Sequence, residues 1–152
     1  MQEQGQRIDL VVVLCGLNDF KHAYTSWRRT ASGFRHELRE LVVAIQQEAG
    51  VDCTVVLPAI PVQHAPVFSG VWPLQPLLAH LAGLWDEQKE ALHDHARRIA
   101  FVRNASDPGG YATPDYWAVD GIHPNDEGYR LWGEHIAQAI VRQALLGAAT
   151  AP

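Results

Sequence analysis

The stretch VVVLCGLNDF, residues 11–20, decides the fold class of this chain. An unbroken apolar run leads into Gly16, and an Asn-Asp pair begins two residues later. Continuous apolarity is typical of a strand that is covered on both faces, as in a parallel sheet between helices. Polar residues after such a strand point to function, because open α/β sheets bind their ligands at the carboxyl ends of their strands.

Further apolar runs and helical periodicities extend this pattern. Strands are predicted over residues 9–15, 53–57 and 99–102. Helices are predicted over residues 25–49, 76–98 and 125–146, the first capped by Thr25 or Ser26 and ended by Gly50. Alternating strands and helices predict one α/β domain over residues 1–152, with a parallel sheet and right-handed crossovers.

The composition excludes several classes of protein. Hydrophobic residues make up 47% and charged residues 19% of the 152 residues, as in a globular protein with a core. The net charge of −5 argues against binding to nucleic acid or to an anionic membrane surface. No apolar run approaches the ~18 residues of a transmembrane helix. The polar start MQEQGQRIDL is unlike a secretory signal, so a cytoplasmic location is predicted unless a signal precedes Met1.

Cysteines and histidines indicate neither a disulfide nor a metal site. Cys15 and Cys53 fall at opposite ends of neighbouring predicted strands, too far apart to bridge, and are interpreted as small buried apolar residues. The eight histidines show no metal-ligand spacing with cysteine or carboxylate. No metal is therefore predicted. No cofactor is predicted either, since Gly109-Gly110 precedes neither a lysine nor a helix and so forms no phosphate-binding loop.

The first candidate site follows the opening strand. Gly16 allows the backbone to turn sharply and to approach a ligand. Asn18 offers an uncharged carboxamide N–H, which suits the stabilisation of an oxyanion. Alternatively, Asn18 and Asp19 simply cap the turn.

The second candidate site lies in DGIHPNDEGY, residues 120–129. Pro124 keeps His123 extended, so a helix begins only afterwards. Gly121 lets the chain fold back so that the Asp120 carboxylate can meet the His123 ring, which would fix the tautomer and leave Nε2 free as a base. The alternative is a helix N-terminal cap with an incidental histidine.

These two motifs in this order, GxND at residues 16–19 and DxxHP at residues 120–124, resemble the SGNH hydrolases, also called the GDSL esterase/lipase family. The closing segment DGIHPNDEGYRLWGEHIAQAI, residues 120–140, is similar as well. The resemblance implies a three-layer α/β/α, flavodoxin-like fold, of which this chain would be the C-terminal two thirds without the first strands. It also implies that His123 is the general base, that Asp120 orients it, and that Asn18 and Gly16 form the oxyanion hole.

The family's nucleophilic serine, carried in a GDS motif ahead of GxND, has no counterpart here. Ser26, Ser32, Ser69 and Ser106 stand in no strand-to-helix elbow, so none is assigned as nucleophile. The resemblance implies an ester hydrolase with a Ser-His-Asp mechanism, acting on a small-molecule or lipid ester, whose serine lies outside this chain. The alternative is an inactive fragment or a ligand- or protein-binding module that kept the fold.

The lost strands would also leave the edge of the GxND strand unpaired. An exposed apolar strand edge pairs readily with another chain. Self-association through this edge is therefore predicted.

Overall fold

The computed structural model describes residues 7–19, 22, 30–61, 65–70, 75–104 and 113–143. The strands are β1 Leu10–Val12, β2 Thr54–Pro58 and β3 Ile99–Val102. The helices are α1 Ala31–Ala49, α2 Pro66–Ser69, α3 Gln75–Glu90 and α4 Asp126–Arg142, and a 3₁₀ turn spans Pro114–Tyr116. The predicted α/β alternation is confirmed.

The three strands form one parallel sheet in the order β1-β2-β3. Val11 pairs with Val55, and Val56 pairs with Ala100. Every residue of β2 and β3 is buried, which explains their continuous apolarity. All three strands run the same way, so their carboxyl ends meet at one edge of the sheet.

Helices cover both faces of the sheet, as the three-layer prediction requires. On one face, α1 and α3 pack on Val55, Leu57 and Phe101 through a cluster that includes Phe34, Leu38, Val42 and Trp85. On the other face, α4 and the 3₁₀ turn pack on Val56, Ala100 and Val102 through Tyr116, Trp117, Trp132, Ile136 and Ile140. Successive strand residues thus serve opposite cores, because side chains alternate across a sheet.

The ends of α1 differ in how well they were predicted. The helix begins at Ala31 rather than at residue 25, because Thr30 is extended and its Oγ1 accepts a hydrogen bond from the Gly33 N–H at 3.0 Å. The predicted caps Thr25 and Ser26 lie outside the described residues. The predicted stop at Gly50 is confirmed: its φ is 107°, and its N–H donates to the Gln46 carbonyl at 3.0 Å.

The predicted end of α3 at residue 98 is wrong, because the helix stops at Glu90. The chain then turns back along β3. Asp94 and Ile99 exchange two backbone hydrogen bonds of 2.9 Å, and His93 Nδ1 accepts from the Phe101 N–H at 3.2 Å. These hydrogen bonds to β3 take the place of the helical hydrogen bonds that the apolar spacing predicted for residues 91–98.

The start of α4 agrees with the sequence. Asn125 caps the helix, accepting at its side-chain oxygen from the Gly128 N–H at 2.9 Å. Asp126 and Glu127 occupy the first turn, where the helix dipole favours negative charge. The helix ends at Arg142, and residues 144–146 of its predicted range lie outside the described part.

Two further expectations concern the cysteines and the membrane. Both thiols are free, with Cys15 beyond the carboxyl end of β1 and Cys53 before the start of β2. Cys53 is buried as expected, whereas Cys15 is only half-buried. Within the described ranges, no helix combines the length and the apolarity that a membrane crossing requires.

Candidate active site

A pocket of about 320 Å³ opens at the carboxyl ends of β1 and β2. Residues from opposite ends of the sequence line it, among them Gly16, Asn18 and His123. Its remaining wall is largely apolar and aromatic, formed by side chains that include Leu14, Leu17, Ile60, Trp117, Ile122 and Trp132. The structure therefore brings the two candidate motifs of the sequence to one cavity.

Gly16 is required by the local geometry. Its φ of +112° lies in the region that residues with a side chain rarely adopt. A Cβ at this position would also fall 2.9 Å from Ile60 Cδ1. Only glycine lets β1 turn here against the chain that leaves β2, and the turn carries Asn18, which is exposed, to the pocket.

The Asp120 carboxylate organises the second motif. Its Oδ1 accepts from the backbone N–H groups of Ile122 at 2.9 Å and His123 at 3.0 Å. Its Oδ2 lies 2.6 Å from His123 Nδ1. An ionised carboxylate only accepts, so Nδ1 carries the proton of this bond and Nε2 is left without one in the neutral ring.

These hydrogen bonds lower the pKa of Asp120 to about 2. The bond from the His123 ring contributes most, followed by the backbone N–H groups of His123 and Ile122. Asp120 is consequently a full anion at neutral pH. An anion at this place holds the His123 ring in one orientation through the bond to Nδ1.

The comparisons with known proteins identify the family of the chain. A family model, the GDSL-like lipase/acylhydrolase family, matches residues 2–131. The chain belongs to this family.

A solved structure shares the fold of this GDSL-like protein. It is the crystal structure of a protein assigned as a GDSL-like lipase from Parabacteroides merdae ATCC 43184, with a TM-score of 0.55 and 22% sequence identity. The similarity covers 86% of this chain and 59% of the Parabacteroides protein. The present chain therefore spans less than two thirds of the length of its structural neighbour. No curated protein sequence matches it. The family and the shared fold confirm the predicted SGNH-type α/β architecture.

Backbone hydrogen bonds fix the loop of residues 118–123, which carries His123. The Ala118 N–H donates to the His123 carbonyl at 2.8 Å, and the Gly121 N–H donates to the Ala118 carbonyl at 2.9 Å. From α2, the Val67 N–H donates to the Gly121 carbonyl at 3.1 Å. Gly121 has φ +65°, which permits the tight turn between acid and base.

Close packing on α4 fixes this loop from the other side. The Asn125 N–H donates to the Tyr116 carbonyl at 2.9 Å. Gly128 lets the helix approach so closely that a Cβ there would collide with the same Tyr116 carbonyl oxygen and lie 2.8 Å from Pro124 Cβ. The 3₁₀ turn, the loop and α4 thus form one packed unit behind His123.

Sequence reasoning missed an ion pair beneath the pocket between a buried lysine, Lys89, and a half-buried aspartate, Asp86. Lys89 is completely buried, and its Nζ donates to the Pro58 carbonyl at 2.8 Å and to Asp86 Oδ1 at 3.2 Å. Burial raises the pKa of Asp86 against the opposing effects of Lys89 and of the Ile60 N–H. In sequence, Asp and Lys three apart on a helix indicate an ordinary exposed pair, so only the tertiary structure reveals this one.

The candidate nucleophiles do not reach the pocket within the described part of the chain. The Ser32 hydroxyl lies 3.1 Å from Thr30 Oγ1 at the start of α1. Ser26, Ser106 and the side chain of Ser69 lie outside the described residues. No described serine side chain lines the pocket, and no three described His, Cys, Asp or Glu side chains converge as metal ligands would.

A larger cavity of about 720 Å³ lies along the outer side of β3, away from this site. Several of its polar groups form hydrogen bonds or ion pairs along the edge of β3. His93 accepts from Phe101, His135 Nε2 donates to the Arg103 carbonyl at 2.7 Å, and Arg103 also pairs with Glu90. This cavity contains no oriented acid-base pair among the described residues, so we place the candidate active site at the smaller pocket.

Proposed function

We propose that this chain carries the general base, its orienting acid and an oxyanion donor of an ester hydrolase, and that a serine outside this chain supplies the nucleophile. The observation that carries the proposal is the contact of 2.6 Å between Asp120 Oδ2 and His123 Nδ1, beside a pocket that Asn18 also lines. Membership of the GDSL-like lipase/acylhydrolase family supports hydrolase chemistry.

In the proposed reaction, His123 Nε2 takes the proton of the serine hydroxyl as its oxygen attacks the ester carbonyl. The Asn18 carboxamide N–H and the backbone at Gly16 donate to the oxyanion that develops. Asp120 stabilises the imidazolium, which then protonates the departing alcohol. Water repeats the sequence on the acyl-enzyme, releasing the carboxylic acid and restoring the serine hydroxyl.

The substrate we propose is a small-molecule or lipid ester with an apolar group at the reacting end. The apolar and aromatic wall around the pocket supports this, since Leu14, Ile60 and Trp132 offer no charge to a substrate. The described lining residues include no lysine or arginine that would hold a phosphate.

A second candidate is a ligand- or protein-binding module that kept the fold without the chemistry. The observation in its favour is that no described serine side chain lines the pocket. Without a nucleophile, an oriented base and an oxyanion donor give only a small part of the acceleration of a full triad.

Hydrolysis of short-chain p-nitrophenyl esters tests the two candidates. The measurement is made on this chain and on a protein extended into the upstream reading frame. We expect activity only in the extended protein, abolished by His123→Ala. The matched control is His36→Ala, because His36 also contacts a carboxylate, that of Glu40 at 3.4 Å, but lies exposed on α1. Inactivity of both unmodified proteins would favour the binding module.

We propose in addition that the outer edge of β1 mediates self-association. In a parallel ladder the N–H and C=O groups of alternate residues point to opposite sides. Asp9 and Val13 bond to β2, so Leu10, Val12 and Leu14 direct theirs outward. Among the described residues these outward groups find no partner, and the side chains of Val12 and Leu14 are exposed.

The opposite edge of the sheet is protected. The outward groups of Ile99 bond to Asp94, the Phe101 N–H bonds to His93, and the Arg103 carbonyl accepts from His135. Natural sheets cover or charge their edges in this manner to prevent pairing with other chains. The contrast between the two edges supports β1 as the side on which another strand docks, and a second copy is the partner that we propose.

A further inference from the structure

We propose that Lys89 and Asp86 are positioning residues of the candidate active site, which hold the chain after β2 beneath Gly16 so that the turn to Asn18 faces the pocket. The geometry stands by itself, whereas its meaning for catalysis rests on the proposed function.

Lys89 holds the end of β2. Its side chain leaves α3 and is completely buried, with Nζ 2.8 Å from the carbonyl oxygen of Pro58, the last residue of β2. Pro58 pairs with Val102 in the sheet, so the carbonyl belongs to a fixed strand end. A fully buried ammonium is rare unless its partners are in place. Here a strand terminus and Asp86 together supply them.

Asp86 holds the next residues along the chain. Both of its carboxylate oxygens lie 3.3 Å from the Ile60 backbone nitrogen, which donates to them. From the other side, Asn104 Nδ2 donates to the Ile60 carbonyl at 3.1 Å. The backbone of Ile60 is therefore fixed by α3 on one side and by the segment after β3 on the other.

Gly16 packs directly on the Ile60 and Lys89 side chains that these contacts hold in place. An added Cβ at Gly16 would lie 2.9 Å from Ile60 Cδ1, 3.4 Å from Lys89 Cε and 3.6 Å from Lys89 Nζ. Gly16, Ile60 and Asn18 all line the pocket. A shift of Ile60 or of the Lys89 stem would thus pass directly to the turn that carries Asn18.

Stability alone is a poor reason for such a pair. Replacing both members of a buried ion pair by apolar residues of similar volume often leaves stability unchanged or raises it, while removing one member leaves an uncompensated charge. An exposed helix face offers easier solutions, as Glu127 and Arg130 show with the same spacing on the solvent side of α4. Asp86 and Lys89 differ from that pair because both also bond to the backbone after β2. Asp86 accepts from the Ile60 N–H, and Lys89 donates to the Pro58 carbonyl.

The test compares the double variant Asp86→Leu/Lys89→Met with the control Glu127→Gln/Arg130→Met. The double substitution removes both charges together, so it avoids the unfolding that a lone buried charge would cause. Residual dipolar couplings of the Gly16 and Asn18 backbone N–H bonds are measured in each protein, since they report bond orientation and not local charge. Ester hydrolysis is measured in parallel in the extended protein.

We expect the double variant to fold cooperatively, the couplings of Gly16 and Asn18 to change, and those of α1 and of the control to stay constant. In the extended protein kcat should fall by about 10- to 100-fold with KM nearly unchanged, because misplacement of a reacting group by ~1 Å costs about that much. Unchanged couplings at Gly16 and Asn18 in the folded double variant would overturn the proposal. If the unmodified extended protein hydrolyses no ester, the proposed function fails, and the couplings still decide the positioning role.

Discussion

The Asp120 carboxylate contacts the His123 ring at 2.6 Å while it also accepts the His123 backbone N–H at 3.0 Å. One residue is thereby held at two points by the same side chain. Such double anchoring limits rotation of the ring and directs Nε2 away from the carboxylate. A general base needs this fixed orientation, because proton transfer depends on the geometry of the hydrogen bond.

The first prediction concerns the ionisation of Asp120. Its pKa is about 2, and the hydrogen bond from the His123 ring is the largest cause. In His123→Ala the pKa should rise but stay below its usual range, because the backbone N–H groups of residues 122 and 123 still donate. Carboxyl ¹³C NMR titration measures both values. A pKa that does not change on removal of the ring would contradict the contact.

The same shift predicts how stability depends on pH. The pKa of Asp120 is about 2 in the folded protein against an ordinary value of 3.8, so the stabilisation is complete above the higher value and is lost as the pH falls towards the lower. Asp120→Asn should therefore show a flatter decline in melting temperature across this window than the unmodified protein. Glu127, whose pKa is also lowered by its partner Arg130, remains in both proteins, so their difference isolates Asp120. Parallel acid profiles would refute this expectation.

Gly128→Ala should destabilise the packing behind His123. A Cβ there collides with the Tyr116 carbonyl oxygen, and overpacking of this kind costs about 1–3 kcal/mol. The matched control is Gly133→Ala on the same helix, where no atom lies within 4 Å of the added Cβ. That change should stabilise by up to ~1 kcal/mol through helix propensity. Urea unfolding measures both, and equal effects would show that α4 does not approach the turn as described.

Gly16→Ala should cost more stability than Gly50→Ala. Both glycines have positive φ, +112° and +107°, so both substitutions incur backbone strain of about 1–3 kcal/mol. Only Gly16 adds a contact, at 2.9 Å to Ile60 Cδ1, whereas nothing lies within 4 Å of a Cβ at Gly50. The difference between the two free energies of unfolding therefore measures the close approach at the pocket floor. A larger cost at Gly50 would be inconsistent with this packing.

Val12→Lys should suppress self-association through β1. A lysine on an edge strand opposes pairing with another chain, and Val12 is exposed, so the fold should tolerate the change. Size-exclusion chromatography with light scattering, over a range of protein concentrations, gives the mass in solution. The control is Val43→Lys, an exposed valine on α1. A monomeric unmodified protein, or equal loss of association in both variants, would exclude the β1 edge as the interface.

The predictable parts of the fold were those that neighbouring residues determine. Continuous apolar runs marked the strands, and β3 matches its predicted range of residues 99–102. The start of α4 after Pro124 and the stop at Gly50 follow from local backbone chemistry. The predicted end of α3 was wrong, because His93 and Asp94 leave the helix and hydrogen-bond to β3. Helical periodicity in the sequence carries no information about such a contact with a later strand.

The candidate site also combines features that local sequence predicts with features that depend on tertiary contacts. The Asp120–His123 contact spans a short turn, so the spacing and Gly121 already indicated it. By itself the sequence determined the α/β class, the two polar motifs and the side chains in them, since each depends on residues within a few positions along the chain. Only the tertiary structure decided that Asn18 and His123 line one pocket and that Lys89 lies buried beneath it, because parallel strand order and the packing of α3 join residues that no local interaction relates.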